Sequence, residues 1–213
     1  MNHLGFAEKS RPTRRTIVLG AAWSVPAVTV CTTLPAFAAS GPCPSIAQTD
    51  WSAWVNTGQG LTSGSLNGWT GTTTHYGVAG FWSVANNAEA KDTWTDADLA
   101  YVTTEVIVPV AAGVTYTFAF DAGSGWGNNR HDADTRYQTV DVLVNGVSKW
   151  TGTTADGGNL LPSNGVQHLS FSYTAAAGET SIVLTYKFTL PPAPAGQTAN
   201  DDICISSPVI TCA

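Results

Sequence analysis

Val106 to Gly127 reads V-I-V-P-V-A-A-G-V-T-Y-T-F-A-F-D-A-G-S-G-W-G. It contains a strand, a tight turn at Gly113, a second strand, and a glycine-rich exit into a polar loop. In the second strand Val114, Tyr116, Phe118 and Phe120 share one face, and Thr115, Thr117 and Ala119 share the other. A period of two with one heavily apolar face is the signature of a strand laid on a core.

The same period recurs on both sides of this stretch. Ala100 to Val108 reads as a strand that ends at Pro109, a residue confined to strand ends and edges. Val140, Val142 and Val144 share a face, and Asn145-Gly146 follows directly, which suits a type I′ hairpin turn. Leu169, Phe171 and Tyr173 form another apolar face, as do Ile182, Leu184, Tyr186 and Phe188. Asp202 to Thr211 reads as one last strand. Towards the N-terminus, Asp50 to Val55, Trp69 to His75 and Gly80 to Val84 read as strands, and Asn56 to Gly68 as loop. Asn86 to Asp98 is expected to be loop or one helical turn, and Asp121 to Tyr137 a long loop. Eight to ten strands with no helical period between them predict an all-β fold. The physical solution is two antiparallel sheets packed face to face.

The first 38 residues read as a signal peptide. Lys9, Arg11, Arg14 and Arg15 form a basic head, Ile17 to Val30 is a short apolar core, and Ala36-Phe37-Ala38 is a small-x-small exit. The apolar run is too short to cross a bilayer of roughly 30 Å. Thr13-Arg14-Arg15-Thr16-Ile17 resembles a twin-arginine export signal, with Leu19 where that family often has Lys. The whole segment resembles signals on actinobacterial surface proteins. Cleavage after Ala38 would leave residues 39–213 as one domain, secreted or at the cell surface of a bacterium, with no membrane span. There is no Leu-Pro-x-Thr-Gly sorting signal, so release or non-covalent retention is expected.

This segment carries four of the nine basic residues and one of the fifteen acidic ones. The remaining 175 residues hold five basic and fourteen acidic side chains, a net of −9 with His neutral. That balance excludes nucleic acid as an electrostatic partner. Three cysteines remain: Cys43, Cys204 and Cys212. In an exported protein this predicts one disulfide and one thiol. Cys43–Cys212, which would close almost the whole domain, is the favoured pair; Cys43–Cys204 and Cys204–Cys212 are the alternatives. The cysteines lack the paired spacing of a zinc site.

Several segments together resemble the galactose-binding-like jelly roll, a fold shared by many carbohydrate-binding modules. They are Val106 to Ala122, V-D-V-L-V-N-G at 140–146, His168 to Tyr186, and D-D-I-C-I-S-S-P at 201–208. The resemblance spans roughly residues 100–210. It implies a non-catalytic binding module for an extracellular glycan or cell-surface partner. It also implies a structural calcium, with the Asp-Asp-Ile strand as one source of ligands.

No nucleophile elbow, zinc-protease helix, phosphate loop or dinucleotide motif is present. His75, His131 and His168 read as surface or strand residues rather than bases. The suggestive surface is the loop G-S-G-W-G-N-N-R-H-D-A-D-T-R at 123–136. There Trp126 can stack on a sugar ring, and Asn128, Asn129, Arg130 and Asp132 can serve its hydroxyls. The alternative for Trp126 is that it covers an open end of the sandwich. Trp82, Trp94 and Trp150 are expected only to pack. Asp132, Asp134 and Asp202 are the calcium candidates, because calcium takes carboxylate and loop oxygens. Two other functions stay open: a structural or adhesive surface protein that binds proteins, and a hydrolase with an unrecognised site.

Overall fold

A computed structural model describes residues 43–63, 66, 68–72, 74–84, 89–90, 100–125, 137–190 and 201–213. Its centre is an antiparallel pair of ten-residue strands, β6 (Ala100–Pro109) and β11 (Ser181–Leu190), joined through all ten positions from Ala100↔Leu190 to Pro109↔Ser181. On β6 the edge strand β1 (Val55–Gln59) adds to one side. On β11 the hairpin of β8 (Thr139–Val144) and β9 (Val147–Thr153) adds to the other. The resulting five-stranded sheet runs β1-β6-β11-β8-β9.

The second sheet forms around β7 (Thr115–Gly125). One side of β7 carries β10 (Gln167–Thr174). The other carries first β12 (Asp202–Ser206) and then β13 (Val209–Cys212). β4 (Phe81–Ser83) and β3 (Trp69–Thr70) continue beyond β12. A small third sheet pairs β2 (Leu61–Ser63) with β5 (Glu89–Ala90). From β6 to β12 the chain alternates between the two large sheets, keeping only the β8–β9 hairpin within one of them. This is a jelly-roll β-sandwich, and the described residues include no helix.

The predicted faces are the faces that meet. Val102, Val106, Val140, Val142, Ile182, Leu184, Tyr186 and Phe188 of the first sheet are buried against Tyr116, Phe118, Phe120, Ile203 and Ile205 of the second. Each such side chain stabilises the fold by about 1.5–3 kcal/mol through lost apolar exposure. Phe118 stacks on Phe171, and Trp150 meets Phe120 edge-on at 5.5 Å. Trp82 lies 4.9 Å from Phe188. Trp82 and Trp150 therefore pack as expected, and Trp94 lies outside the described residues. Tyr186, fully buried, donates its hydroxyl to the carbonyl of Ser206 at 3.0 Å and so ties the two sheets together. Asn145 and Gly146 both have positive φ, 50° and 77°, as a type I′ turn requires.

Three expectations are corrected. Asp50 to Trp54 is a turn rather than a strand: Trp54 N–H donates to the Trp51 carbonyl, and both indoles cover Tyr186. The polar residues after it, read as loop, form β1, because β6 offers an unpaired edge whatever the side chains. Second, β7 does not end at Phe120 but runs to Gly125, paired with β12. Third, the last strand is two strands, broken at Ser207-Pro208, since Pro208 has no N–H to give to a ladder. Smaller differences are a shortened β3 and the strand pair at Glu89–Ala90.

Cys43 and Cys212 form the disulfide, with Cα atoms 5.8 Å apart and 169 residues of separation. Cys204 is the buried free thiol, and burial pushes it up to about 12. Closing so long a loop is worth on the order of 4–5 kcal/mol by chain entropy. The double variant Cys43→Ser/Cys212→Ser is therefore expected to lose several kcal/mol in urea unfolding. A loss below about 1 kcal/mol would show that the unfolded chain is already compact.

Candidate functional site

The loop singled out by sequence lies largely outside the described residues: Trp126, Asn128, Asn129, Arg130, Asp132 and Asp134 are all in it. Its entrance is described. β7 ends at Gly125, directly opposite Asp202. The Tyr76 hydroxyl donates to Asp202 Oδ2 at 3.1 Å across this strand end. A Cβ on Gly125 would come within 1.9 Å of the Tyr76 ring. One on Gly123 would come within 2.4 Å of the Gly165 carbonyl. The glycines that read as loop are strand residues that admit a ring and a crossing backbone.

Burial raises the Asp202 carboxyl above its ordinary value, and burial with the nearby carboxylate raises Tyr76 to about 12. Among the described residues no three His, Cys, Asp or Glu side chains are grouped to hold a metal. Of the three calcium candidates only Asp202 is described, half-buried and with Oδ2 accepting from Tyr76.

A larger feature lies elsewhere, on the outward face of the five-stranded sheet. Residues that alternate with the core row of β6 and β11 point away from the core: Tyr101, Thr103, Glu105 and Ile107 on one strand, Val183, Thr185 and Lys187 on the other. All of these except Ile107, together with Leu143, Asn145 and Gly146, line a groove of about 430 Å³. A second hollow of about 390 Å³, lined by Ala53, Val55 and Ile107, shares Glu105 and Val183 with it. From Tyr101 to Ile107 the strand covers about 20 Å.

The groove is dense in paired polar groups. The Thr57 and Thr103 hydroxyls bond at 2.6 Å, and Thr185 donates to Glu105 Oε1 at 3.1 Å. The Lys187 ammonium lies 4.8 Å from the Tyr101 ring centroid. At one end Asn145 closes the wall: its Oδ1 accepts from Val183 N–H at 2.8 Å, and its Nδ2 donates to Glu179 Oε1 at 2.7 Å. The arrangement offers an aromatic ring, hydroxyls, a carboxylate, an ammonium and an amide along one open channel. The alternation on Ala100 to Val108 already contained the signal, since Tyr101, Thr103 and Glu105 are its outward members.

No protein-family model matches the chain, and no curated protein matches it. Comparison with solved structures gives partial matches. A CBM4 carbohydrate-binding module is 20% identical, with 63% of this chain and 72% of that one covered and a TM-score of 0.34. TmCBM61 in complex with beta-1,4-galactotriose is 11% identical, with 76% and 90% covered and a TM-score of 0.38. A cyclase from Fischerella sp. TAU is 12% identical, with 78% and 88% covered and a TM-score of 0.36.

The Asp202 arrangement makes a signed prediction. Its carboxyl has a folded-state value above the ordinary 3.8. The stability it contributes is thus present below that value and is lost as pH rises through the folded-state value. Asp202→Asn is expected to melt higher than the parent at pH 7, with the gain shrinking on acidification towards pH 4. A lower melting point at pH 7 would mean that the hydrogen bond from Tyr76 outweighs the cost of burying the charge.

Proposed function

We propose that this chain is a non-catalytic module that binds carbohydrate outside the cell, through the groove on the outer face of the five-stranded sheet. The observation that carries this reading is the composition of the groove between β6 and β11. Sugars present apolar C–H faces and amphoteric hydroxyls. Tyr101 matches the first; Glu105 and Lys187 match the second, with Thr185, buried, donating to the Glu105 carboxylate and so fixing it. From Tyr101 to Glu105 the groove runs about 13 Å along β6, which suits a short run of linked sugar units. Placing the groove on two central strands holds these groups rigidly, which lowers the ordering cost of binding.

The loop containing Trp126 is the rival location on the same protein, and the two are separable by mutation. Tyr101→Ala is expected to weaken binding to a soluble polysaccharide at least tenfold, about 1.4 kcal/mol, with an unchanged melting point. Affinity electrophoresis across a polysaccharide panel reads this directly. Loss with Trp126→Ala and not with Tyr101→Ala would move the site to the loop. No retardation by any polysaccharide would favour the adhesive reading, for which Ile107 and Val55, 70% and 64% exposed beside the groove, would be the contact.

A further inference from the structure

On the opposite sheet the partner of β7 changes halfway along. Ala122 pairs with Ile205 of β12, and Ala119 pairs with Val209 of β13. Two residues of β7, Phe120 and Asp121, thus face three of the other strand, Ser206, Ser207 and Pro208. One extra residue is a β-bulge, a device that re-aims side chains and gathers near binding sites.

This bulge is held from three directions. The Asp121 N–H donates to Ser206 Oγ at 2.9 Å in place of a main-chain carbonyl. Tyr186 donates to the Ser206 carbonyl from the core. Gln48 donates to the Pro208 carbonyl at 3.0 Å from the N-terminal strap. Beside the bulge lies a hollow of about 240 Å³ lined by Gln48, Asp121, His168, Ser206 and Ser207, with Val209 at the rim. Ser207 is 1% exposed, and its hydroxyl is buried without a hydrogen-bond partner. At the mouth, His168 Nδ1 and Asp121 Oδ1 lie 2.6 Å apart, with the imidazole 78% exposed.

We propose that this hollow is a second sugar site, which takes the adjacent hydroxyls of a single sugar unit. The chemistry of the lining selects that class. Asp121 accepts, the His168 Nε2 accepts from a hydroxyl while Nδ1–H donates to Asp121, and Ser206, whose oxygen already accepts from the Asp121 N–H, has its proton free to donate. A phosphate or sulfate would meet the Asp121 carboxylate with no Lys or Arg in the lining to offset it. A hard cation would find one carboxylate, already bound to His168. The first groove opens on the other sheet, so the two sites cannot lie along one straight chain segment. A protein with both would bridge separate glycan chains.

This inference rests on the carbohydrate reading, and its test separates the two. Titration of the purified protein with galactose, glucose and mannose, followed by amide NMR, is expected to shift Asp121, His168 and Ser207 at millimolar sugar. Asp121→Asn and His168→Ala are each expected to weaken that response at least fivefold, while Tyr101→Ala leaves it unchanged. Cross-linking of polysaccharide, read as turbidity, is expected to require both sites. If polysaccharide binding through Tyr101 is present but no monosaccharide shifts the bulge, the second site is overturned and the first stands. Shifts that persist unchanged in Asp121→Asn and His168→Ala would overturn it equally. His168→Ala is chosen because the imidazole is 78% exposed and its removal leaves the core intact.

Discussion

The pairing of β6 with β11 is the constraint on which the molecule depends. Ten consecutive residue pairs set one register for both strands. Because side chains alternate, that single register decides every inward and outward position on both. A one-residue slip of β11 would send Ile182, Leu184, Tyr186 and Phe188 into water and bring Lys187 into the core. The cost of that exchange makes the register unambiguous. β1, β8 and the β8–β9 hairpin then add to edges already in place.

The outer groove is the other half of the same pattern. Once Val102, Val106 and Leu184 are committed to the core, Tyr101, Thr103, Glu105, Thr185 and Lys187 must stand together on the far face. Their rigidity comes from strands clamped between two neighbours, and from Asn145 and Glu179, which tie adjacent turns together. The groove's polar lining is a by-product of the packing that stabilises the domain, and it needs no separate scaffold.

The second sheet is organised differently. β7 is longer than either strand on its far side, so β12 and β13 share it and leave a gap between them. Pro208 breaks the ladder, and Ser206 and Gln48 repair it with side-chain hydrogen bonds. Tyr186 reaches this break from the opposite sheet, so the core of the sandwich and the polar hollow are mechanically joined. At the other end of β7, Gly123 and Gly125 admit Tyr76 and the Gly165 backbone, and they deliver the chain to the loop of Trp126.

The sequence alone was sufficient for the all-β class, the apolar face of each long strand, the Asn145-Gly146 hairpin and the pairing of Cys43 with Cys212 as the favoured disulfide. These depend on alternation, turn chemistry and counting, all of which are local or nearly so. It was not sufficient for β1, whose polar residues become a strand only because β6 presents a free edge. Nor did it separate glycine as loop from glycine as close contact at Gly123 and Gly125, since the contacting ring lies about fifty residues away in the chain. The outward row of β6 was legible, but its role was not. Two strands must pair in register before Tyr101, Glu105 and Lys187 become one groove. The bulge at Ser206 to Pro208 is likewise decided by tertiary structure, because it exists only where two strands meet a longer third.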